Sequence, residues 1–392
     1  MLKAKNYLTI NNEYRYCTDN ILMKGSFCIL YRGYHISEEN VKNKKYYTIK
    51  AESSSTKHPQ LKHEYEILKH LHEKGNQKTG IPNFFKFYPS TNNKNYIIMD
   101  MYGHTLQQIF ELSDYKFNEL SVLNILNVIL DIIEYIHSKR VIHRDIEPSH
   151  LIYTIKDTSD ILFGNNGEKK EGKINSNSDL FLLDYGLSKF YCDSHNNHIL
   201  FKDNKKPIGN MIFCSIWNLL GIEESRRDDL DSFCNIMIYL INGKLPWMNI
   251  KAKTQQEIKD RIKEIKISIS PLEICFNVPI IFNDNFLKVI EYVRSLQFCD
   301  KPNYDFLRIL INNCIEKIIY GKKNLDCFIV IKNKSEDAEI ERILEKRRKE
   351  KEKEKMLYLI TIKLFLILLE YNMLMFLLIL LYLDMLFPHL KM

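Results

Sequence analysis

Glycine is scarce in this chain, with 13 among 392 residues, well under the roughly 7% that is usual in proteins. The shortage accompanies a composition rich in Asn, Lys, Ile and Tyr, so a missing loop glycine partly reflects the overall composition. Hydrophobic residues make up 45% of the chain and charged residues 27%. This balance excludes a disordered chain and leaves room for a two-lobed enzyme of roughly 300 residues with an extension.

Three further absences narrow the class of protein. The nine cysteines include no C-x-x-C pair, which favours reduced thiols in the cytosol or nucleus. The net charge of +7 is too small to indicate a nucleic-acid partner. The first residues, MLKAKNYLTINNEYRY, lack the uninterrupted apolar core of a secretory signal. We therefore expect a cytoplasmic protein with no nucleic-acid partner, and location in the nucleus stays open.

Periodicity divides the chain into strand-like and helix-like parts. Short apolar runs between polar turns predict antiparallel strands from Tyr14 to about Tyr47. The segment HPQLKHEYEILKHL (58–71) spaces its apolar residues for one helix face, and LSVLNILNVILDIIEYIHSKR (120–140) is apolar enough for a buried helix. The polar residues 154–180 predict a surface insertion, because they cannot bury enough apolar surface to offset the entropy of ordering.

Four residue types then occur in an informative order. Lys50 ends the string YTIK, Glu64 lies on the first predicted helix, and His143-Arg144-Asp145 precedes Asp184-Tyr185-Gly186 by about forty residues. Either tripeptide alone would be a weak signal. Together with the lysine and glutamate they reproduce the order and spacing of the protein-kinase motifs.

Phosphoryl transfer explains why these residue types are needed. The phosphates need a positive charge (Lys50), the metal needs a carboxylate (Asp184), and the substrate hydroxyl needs a base (Asp145). Glu64 would pair with Lys50 and hold its ammonium towards the phosphates. The alternatives are an exposed helix salt bridge for Glu64 and turn or cap positions for the two aspartates, and the four-part order outweighs them.

The string SIWNLLGIEESRRDDLDSF (215–233) stands where most protein kinases carry Ala-Pro-Glu, and it resembles the casein kinase I family. Shorter matches are HPQL (58–61), GIPNF (80–84), EYIHSK (134–139), KLPWMNIKA (244–252) and RSLQFCDKPNYDFLR (294–308). The resemblance covers about residues 12–328. It implies an α+β, bilobal protein kinase fold, with an antiparallel-sheet small lobe (about 12–102) over a mainly helical large lobe (about 103–328).

The same resemblance assigns the binding of ATP with Mg²⁺. Gly25 and Ser26 belong to the glycine loop over the phosphates, Met99 is the gatekeeper, and Asp100 to Tyr102 form the hinge that hydrogen-bonds adenine. Asp229, in RRDDLDSF, matches a buried aspartate that supports the backbone of the catalytic loop.

Two motifs depart from the family. Its glycine loop G-x-G-x-F-G is Met23-Lys24-Gly25-Ser26-Phe27-Cys28 here, so side chains replace backbone near the phosphates. After HRD the family has x-Lys-Pro-x-Asn, whereas this chain has Ile146-Glu147-Pro148-Ser149-His150. Glu147 places an anion near the transferred phosphate, and His150 is a doubtful metal ligand because imidazole suits transition metals better than magnesium.

The family also recognises a phosphate or an acidic residue upstream of its target through basic side chains. Lys205 and Lys251 match two of these, while the matching arginine is Ile212. We therefore expect protein substrates, acidic ones among them, with a weaker requirement for a priming phosphate.

The end of the chain differs in character. A charged helical linker (329–355) leads to an apolar tail (356–392), whose segment 356–387 is long enough to cross a bilayer. Preceding basic residues suit a cytosolic flank, so we expect a tail anchor in an intracellular membrane. Lys363, Glu370 and Asp384 interrupt the segment at multiples of seven, on one helical stripe. A helix docked on protein or at a membrane surface, and translational read-through, stay open.

Two functions follow. The first is an ATP-dependent serine/threonine kinase that uses Lys50, Glu64, Asp145 and Asp184. The second is a catalytically weak or inactive pseudokinase that binds partners through the retained lobe surface, indicated by the departures in the glycine and catalytic loops.

Overall fold

The computed structural model describes residues 6–25, 27–39, 42, 45–72, 80–154 and 180–329, with side chains described as far as residue 319. The chain divides into two units, Met1–Ile319 and Tyr320–Met392, and the described side chains all belong to the first. Ser26, nearly all of the polar insertion 154–180, the linker and the apolar tail lie outside the described residues. The expectations for these segments remain predictions.

A six-stranded antiparallel sheet forms the N-terminal region, in the order β1-β2-β3-β4-β6-β5. Its strands are β1 (Tyr7–Ile10), β2 (Tyr14–Lys24), β3 (Ile29–His35), β4 (Tyr46–Ser53), β5 (Phe84–Thr91) and β6 (Lys94–Asp100). The strands predicted between residues 14 and 47 are confirmed. β1, which the alternation did not reveal, pairs with β2 ahead of the predicted start of the lobe.

Tyrosine packing holds one side of this sheet together. A core cluster contains Tyr14, Tyr16, Tyr31, Tyr47, Tyr88 and Tyr96 among its buried members. The hydroxyl groups of Tyr16 and Tyr96 lie 2.9 Å apart, so each buried polar tip has a partner. Gly33 on β3 is required by this packing, because a Cβ there would come within 2.2 Å of Ile49 Cδ1.

Helices dominate the rest of the chain. They are α1 (Leu61–His72), α2 (Leu106–Leu112), α3 (Glu119–Ser138), α4 (Ile216–Leu219), α5 (Arg226–Asn242), α6 (Gln255–Ser268), α7 (Pro271–Ile274), α8 (Ile280–Ser295) and α9 (Tyr304–Ile329). Two small antiparallel ribbons lie between them, made of β7 (Val141–Ile142) with β10 (Lys189–Phe190) and of β8 (Leu151–Tyr153) with β9 (Leu180–Leu182). The chain therefore has the predicted bilobal α+β fold.

Helix α3 is the centre of the large lobe. Its residues are apolar around most of the helix, and they join the main hydrophobic core with α5 and α8. Within the described ranges, α3 is the one helix long and apolar enough to cross a membrane, and most of it is buried in the protein. The prediction of a buried helix here is confirmed.

Helix α1 is fixed to the sheet at its first turn. The buried Glu52 of β4 accepts hydrogen bonds from the backbone N–H groups of Gln60 (2.7 Å) and Leu61 (3.2 Å) through Oε1. A carboxylate in this position accepts hydrogen bonds from N–H groups that have no partner within the helix, and its negative charge interacts favourably with the positive end of the helix dipole. The cap fixes the first turn of α1, where Glu64 contacts Lys50 of β4.

Candidate active site

Lys50 connects the two lobes through carboxylates. Its Nζ donates to Glu64 Oε2 at 2.6 Å and to Asp184 Oδ1 at 2.8 Å, so the expected pair with Glu64 is present. Lys50 and Glu64 are buried, whereas the Asp184 side chain is 41% exposed towards the cleft. Burial opposes the charge on Lys50, but the two carboxylates outweigh it and raise its pKa well above the usual value. The ammonium is held at the cleft in its charged form.

The backbone of the catalytic loop rests on Asp229 of α5. Oδ2 of this buried carboxylate accepts from His143 N (2.8 Å) and Oδ1 from Arg144 N (2.9 Å), as expected from the sequence. His137 Nε2 lies 2.8 Å from the same Oδ2. Burial alone would raise the pKa of Asp229, yet the contact with His137 and these N–H groups lower it. The contacts that anchor the loop therefore favour the charged form of Asp229.

Two motif residues of the site adopt a left-handed backbone conformation, as do several residues in turns elsewhere in the chain. Arg144 has φ 70° and Asp184 has φ 64°, both in the left-handed region that non-glycine residues seldom adopt. The Arg144 guanidinium donates through Nε to Leu187 O at 2.6 Å, which ties the HRD loop to the segment after Asp184. Such outliers persist where the surrounding structure fixes them and are typical of functional sites.

Asp145 is oriented by a turn from the distant segment around residue 209. Its Oδ1 accepts the backbone N–H of Asn210 at 3.0 Å. Gly209 has φ 73°, and a Cβ at this position would come within 2.7 Å of the same Oδ1. Glycine is thus required at 209 by both its conformation and the closeness of the carboxylate.

His150 lies among three carboxylates. Its Nδ1 donates to the carbonyl oxygen of Asp145 at 2.9 Å, and its Nε2 lies 3.7 Å from both Glu147 Oε1 and Asp184 Oδ2. Burial disfavours the imidazolium, but the charges of Asp145, Asp184 and Glu147 outweigh it and raise the pKa of His150. Glu147 also accepts a short hydrogen bond from Asn210 Nδ2, while burial raises its pKa. The unusual anion at 147 therefore has two partners.

The side chains fit one magnesium position better than two. The kinase arrangement holds metal through the aspartate that Asp184 matches and through an asparagine oxygen, and Mg²⁺ is usually completed by substrate phosphates. Asp184 faces the cleft and fits the first role. His150 fits the second role poorly, because its Nδ1 is used for Asp145 O and an imidazole replaces an oxygen donor. Across the described part of the chain, no group of three or more His, Cys, Asp or Glu residues could hold a metal ion.

The described ends of the glycine loop lie between β2 and β3 and contact each other. Gly25 N donates to Cys28 O at 2.9 Å, and Met23 stands opposite Leu30 in the ladder with 47% of its surface exposed. Burial raises the pKa of the Cys28 thiol to about 11, so it stays neutral at physiological pH. The side chains of Met23 and Cys28 thus lie at the two ends of the loop. Ser26, the other residue predicted to lie over the phosphates, is outside the described residues.

The expected hinge follows the end of β6. Met99 is buried opposite Thr48 of β4. Asp100 is fixed from several directions, because its N–H donates to Asn83 O (3.2 Å) and its carboxylate lies 3.0 Å from Lys45 Nζ. The Tyr102 hydroxyl accepts from Asn83 N at 2.9 Å. These contacts hold the chain segment that crosses from one lobe to the other.

The two lysines of the expected anion site lie in different surroundings. Lys205 Nζ lies 2.6 Å from Oε1 of the buried Glu223, whose Oε2 lies 3.0 Å from Lys189 Nζ. Lys251 lies on the loop before α6, where its carbonyl accepts from Arg261. Ile212 packs partly buried against the main core. The charge of Lys205 is thus engaged within the protein, and Lys189 is its unpredicted neighbour.

Two lobes and a lysine that contacts both a helix glutamate and the aspartate of the second motif are features of protein kinases, in which this lysine binds nucleotide phosphates. A family model described as the protein kinase domain matches residues 16–317. The chain therefore belongs to the protein kinase family, whose members transfer a phosphoryl group from ATP, generally with Mg²⁺, to protein substrates.

Sequence reasoning missed Glu52, Asn210 and Lys189. Glu52 lies two residues after Lys50 on the same strand, so the period-two rule could have placed it on the same face. Asn210 and Lys189 lie in irregular segments without periodicity. Their roles depend on contacts with residues 63 and 34 positions away, respectively.

Proposed function

We propose that this protein is an ATP-dependent serine/threonine kinase of the casein kinase I type. The observation that carries the proposal is the double contact of Lys50 with Glu64 and Asp184, because it places a fixed positive charge beside the carboxylate expected to meet the nucleotide's metal. Asp145, oriented by Asn210 N–H, would accept the proton of the substrate hydroxyl. The resemblance at 215–233 supports the casein kinase I assignment and the preference for serine or threonine.

Each side chain has a definite task in this mechanism. Lys50 would bind and neutralise the phosphates, since an ammonium held by two carboxylates pays little further entropy on binding. Asp184 would hold the metal that accompanies ATP, which supplies charge neutralisation on the phosphates. Backbone beyond Asp100 would receive adenine, because the Asp100 N–H is already used by Asn83 O. Asp145 would orient the hydroxyl and take its proton.

The test is transfer of labelled γ-phosphate from ATP to casein by the purified chain. Asp145→Asn keeps the size of the side chain and removes the base, so we expect a loss of about 10²-fold or more. Asp305→Asn is the matched control, because Asp305 is an exposed residue of α9 paired with Arg308. Equal labelling by wild type and Asp145→Asn would refute the proposal.

The arrangement around His150 favours a second candidate, a pseudokinase that binds partners and turns over slowly or not at all. The imidazole of His150 occupies the position of an oxygen ligand, and the carboxylate of Glu147 would repel the negatively charged phosphates. Thermal shifts with ATP, with and without Mg²⁺, separate the candidates when combined with the labelling assay. Stabilisation by nucleotide without labelling would support the pseudokinase, whereas stabilisation with labelling would support the kinase.

A further inference from the structure

Lys266 of α6 is a fully enclosed lysine whose charge faces backbone carbonyls. Its residue surface is 1% exposed, and its Nζ donates to Met211 O (3.1 Å), Ile212 O (3.0 Å) and Cys214 O (2.6 Å). An ammonium has three N–H donors, so all of them are used here. Burying a charge is costly unless it is fully hydrogen-bonded, which indicates that the contact has a purpose beyond filling space.

Two other side chains donate to carbonyl groups of the same loop. Trp247 Nε1 donates to Ile212 O at 2.8 Å, and Asn235 Nδ2 donates to Phe213 O at 2.9 Å and Cys214 O at 3.3 Å. Met211 O has a weaker second contact, the Cys214 thiol at 3.7 Å. Met211 O is therefore the carbonyl that depends most on Lys266.

The residue that precedes this loop contacts the catalytic residues. Asn210 precedes Met211, and its N–H donates to Asp145 Oδ1 while its side-chain amide donates to Glu147. The Asn210 side chain also accepts from Ile212 N at 2.9 Å, so residues 210 and 212 are joined in one hydrogen-bonded turn. A group that fixes the carbonyls of 211 and 212 consequently fixes the direction of the Asn210 N–H.

We propose that Lys266 is a positioning residue for phosphoryl transfer, which clamps the loop 211–214 so that Asn210 keeps the Asp145 carboxylate in its productive orientation. The proposal rests on the proposed function. It gives this chain an anchor for the loop in the region where most kinases use the Ala-Pro-Glu motif, which is absent from its sequence at 215–233. Lys266 lies more than fifty residues from the loop in sequence, so the clamp is formed by the packing of α6.

The variants separate a clamp from a merely stabilising side chain. Lys266→Met keeps the length and volume but leaves Met211 O without its main donor, whereas Lys266→Arg restores N–H donors. Ile262→Ala is the control, because Ile262 is a buried residue one turn earlier on α6 and donates nothing to the loop. Melting temperatures are measured for all three variants, and assays are run well below them.

For Lys266→Met we expect kcat towards casein to fall about tenfold or more, with the KM for ATP within about twofold of wild type. Lys266→Arg should recover part of kcat, and Ile262→Ala should lower the melting temperature without lowering kcat to that extent. Unchanged kcat in Lys266→Met, or a fall in Ile262→Ala that matches it, would overturn the proposal.

Hydrogen exchange of the peptide containing residues 208–214 tests the clamp independently of turnover. We expect faster exchange in Lys266→Met and near-wild-type exchange in Ile262→Ala and Lys266→Arg. If wild type labels no substrate, the proposed function fails while this measurement still decides whether the clamp exists. Should Lys266→Met fail to fold, Lys266→Gln takes its place, because its shorter side chain with two donors cannot serve all three carbonyls. Faster exchange is then expected, and unaltered exchange in that variant would overturn the clamp.

Discussion

At the residue scale, the most informative feature is the exchange of charge within the catalytic loop. The resembled family places a lysine at 147 and an asparagine at 150, whereas this chain has Glu147 and His150, with the imidazole among three carboxylates. The cationic side chain of the loop is thus found at position 150 instead of position 147, and three carboxylates surround it. A phosphate entering the cleft meets a less positive loop, and Lys50 carries more of the neutralisation.

Restoring the family's pattern should therefore raise activity. In the double variant Glu147→Lys/His150→Asn, a cation returns beside the phosphate and an oxygen donor beside Asp184, so we expect kcat to rise by about tenfold. The measurement is the rate of labelled phosphate transfer at saturating ATP and Mg²⁺. His150→Asn alone is the control for the oxygen donor. A double variant no faster than wild type would show that these two departures do not limit the rate.

The carboxyl group of Glu224 lies near the HRD loop, and its protonation should change the stability of the fold with pH. This buried carboxyl accepts from Asn218 Nδ2 at 2.8 Å and lies 3.8 Å from Arg144, while burial raises its pKa to about 8. Because the folded pKa lies above the unfolded value of 4.5, its contribution to stability is fully present below pH 4.5 and is lost as the pH rises through 8.

Glu224→Gln removes this titration while keeping an acceptor for Asn218. We expect the melting temperature of the variant, relative to wild type, to rise between pH 5 and pH 8.5, with a gain of about 2 °C or more at the upper end. Differential scanning fluorimetry across this range is the measurement. The control is Glu66→Gln, because Glu66 is an exposed residue of α1 that lies near Lys62. A variant that loses stability relative to wild type as the pH rises would contradict the assigned pKa.

At the element scale, the segment between Asp184 and α5 is fixed by hydrogen bonds and ion pairs within the protein. β10 pairs with β7, Arg144 binds Leu187 O, and Glu223 draws Lys189 and Lys205 together before α5 begins. The turn 209–212 is attached to the catalytic carboxylates on one side and to α6 on the other. Substrate recognition would thus take place on a segment whose lysine at 205 already has a partner.

Priming by an upstream phosphate should consequently matter little. Ile212 offers no charge, and Lys205 would have to exchange Glu223 for the phosphate, so we expect a primed peptide to be phosphorylated less than about tenfold better than its unprimed twin. Peptide kinetics at fixed ATP measure this ratio. Ile212→Arg should increase it, whereas Ile212→Gln, polar but uncharged, should not. A wild-type ratio above tenfold would contradict the expectation.

At the scale of the whole molecule, the family match ends at residue 317, well before the apolar segment 356–387, which lies outside the described residues. We propose that this segment binds a membrane with the kinase domain on the cytosolic side. Each of its three charges would cost about 2.5–3.5 kcal/mol on insertion, while each Leu, Ile or Phe would return roughly 0.3–0.6 kcal/mol. The many apolar residues make the balance favourable but modest, which suits pairing of Lys363 with Glu370.

Deletion of residues 356–392 should move the protein from the carbonate-resistant pellet to the soluble fraction, because the apolar segment is then absent. Phosphotransfer by the shortened chain should match that of the full chain, since the family match lies upstream. Deletion of 388–392 alone is the control and should leave the membrane fraction unchanged. A full-length protein that is soluble and monomeric would exclude the anchor and favour a docked helix or read-through.

The sequence by itself determined the class of fold and the order of the motif residues. Helices α1 and α3 follow from local periodicity, and the Lys50–Glu64 pair follows from spacing that any kinase needs. These inferences succeed because the periods of helices and strands are set by neighbouring residues. The support of the catalytic loop by Asp229 was also expected, through resemblance rather than through periodicity.

Only the tertiary structure decided how the catalytic carboxylates are surrounded. Asn210 reaches Asp145 from 65 residues away, His150 faces Asp184 from 34 residues away, and Lys266 holds Met211 O from 55 residues away. Asn210 and Lys266 belong to no recognisable motif, because their contacts are set by the packing of α6 and of irregular segments around the catalytic loop. Hydrogen bonds and ion pairs act over a few ångströms of space, whereas a sequence pattern records only separation along the chain.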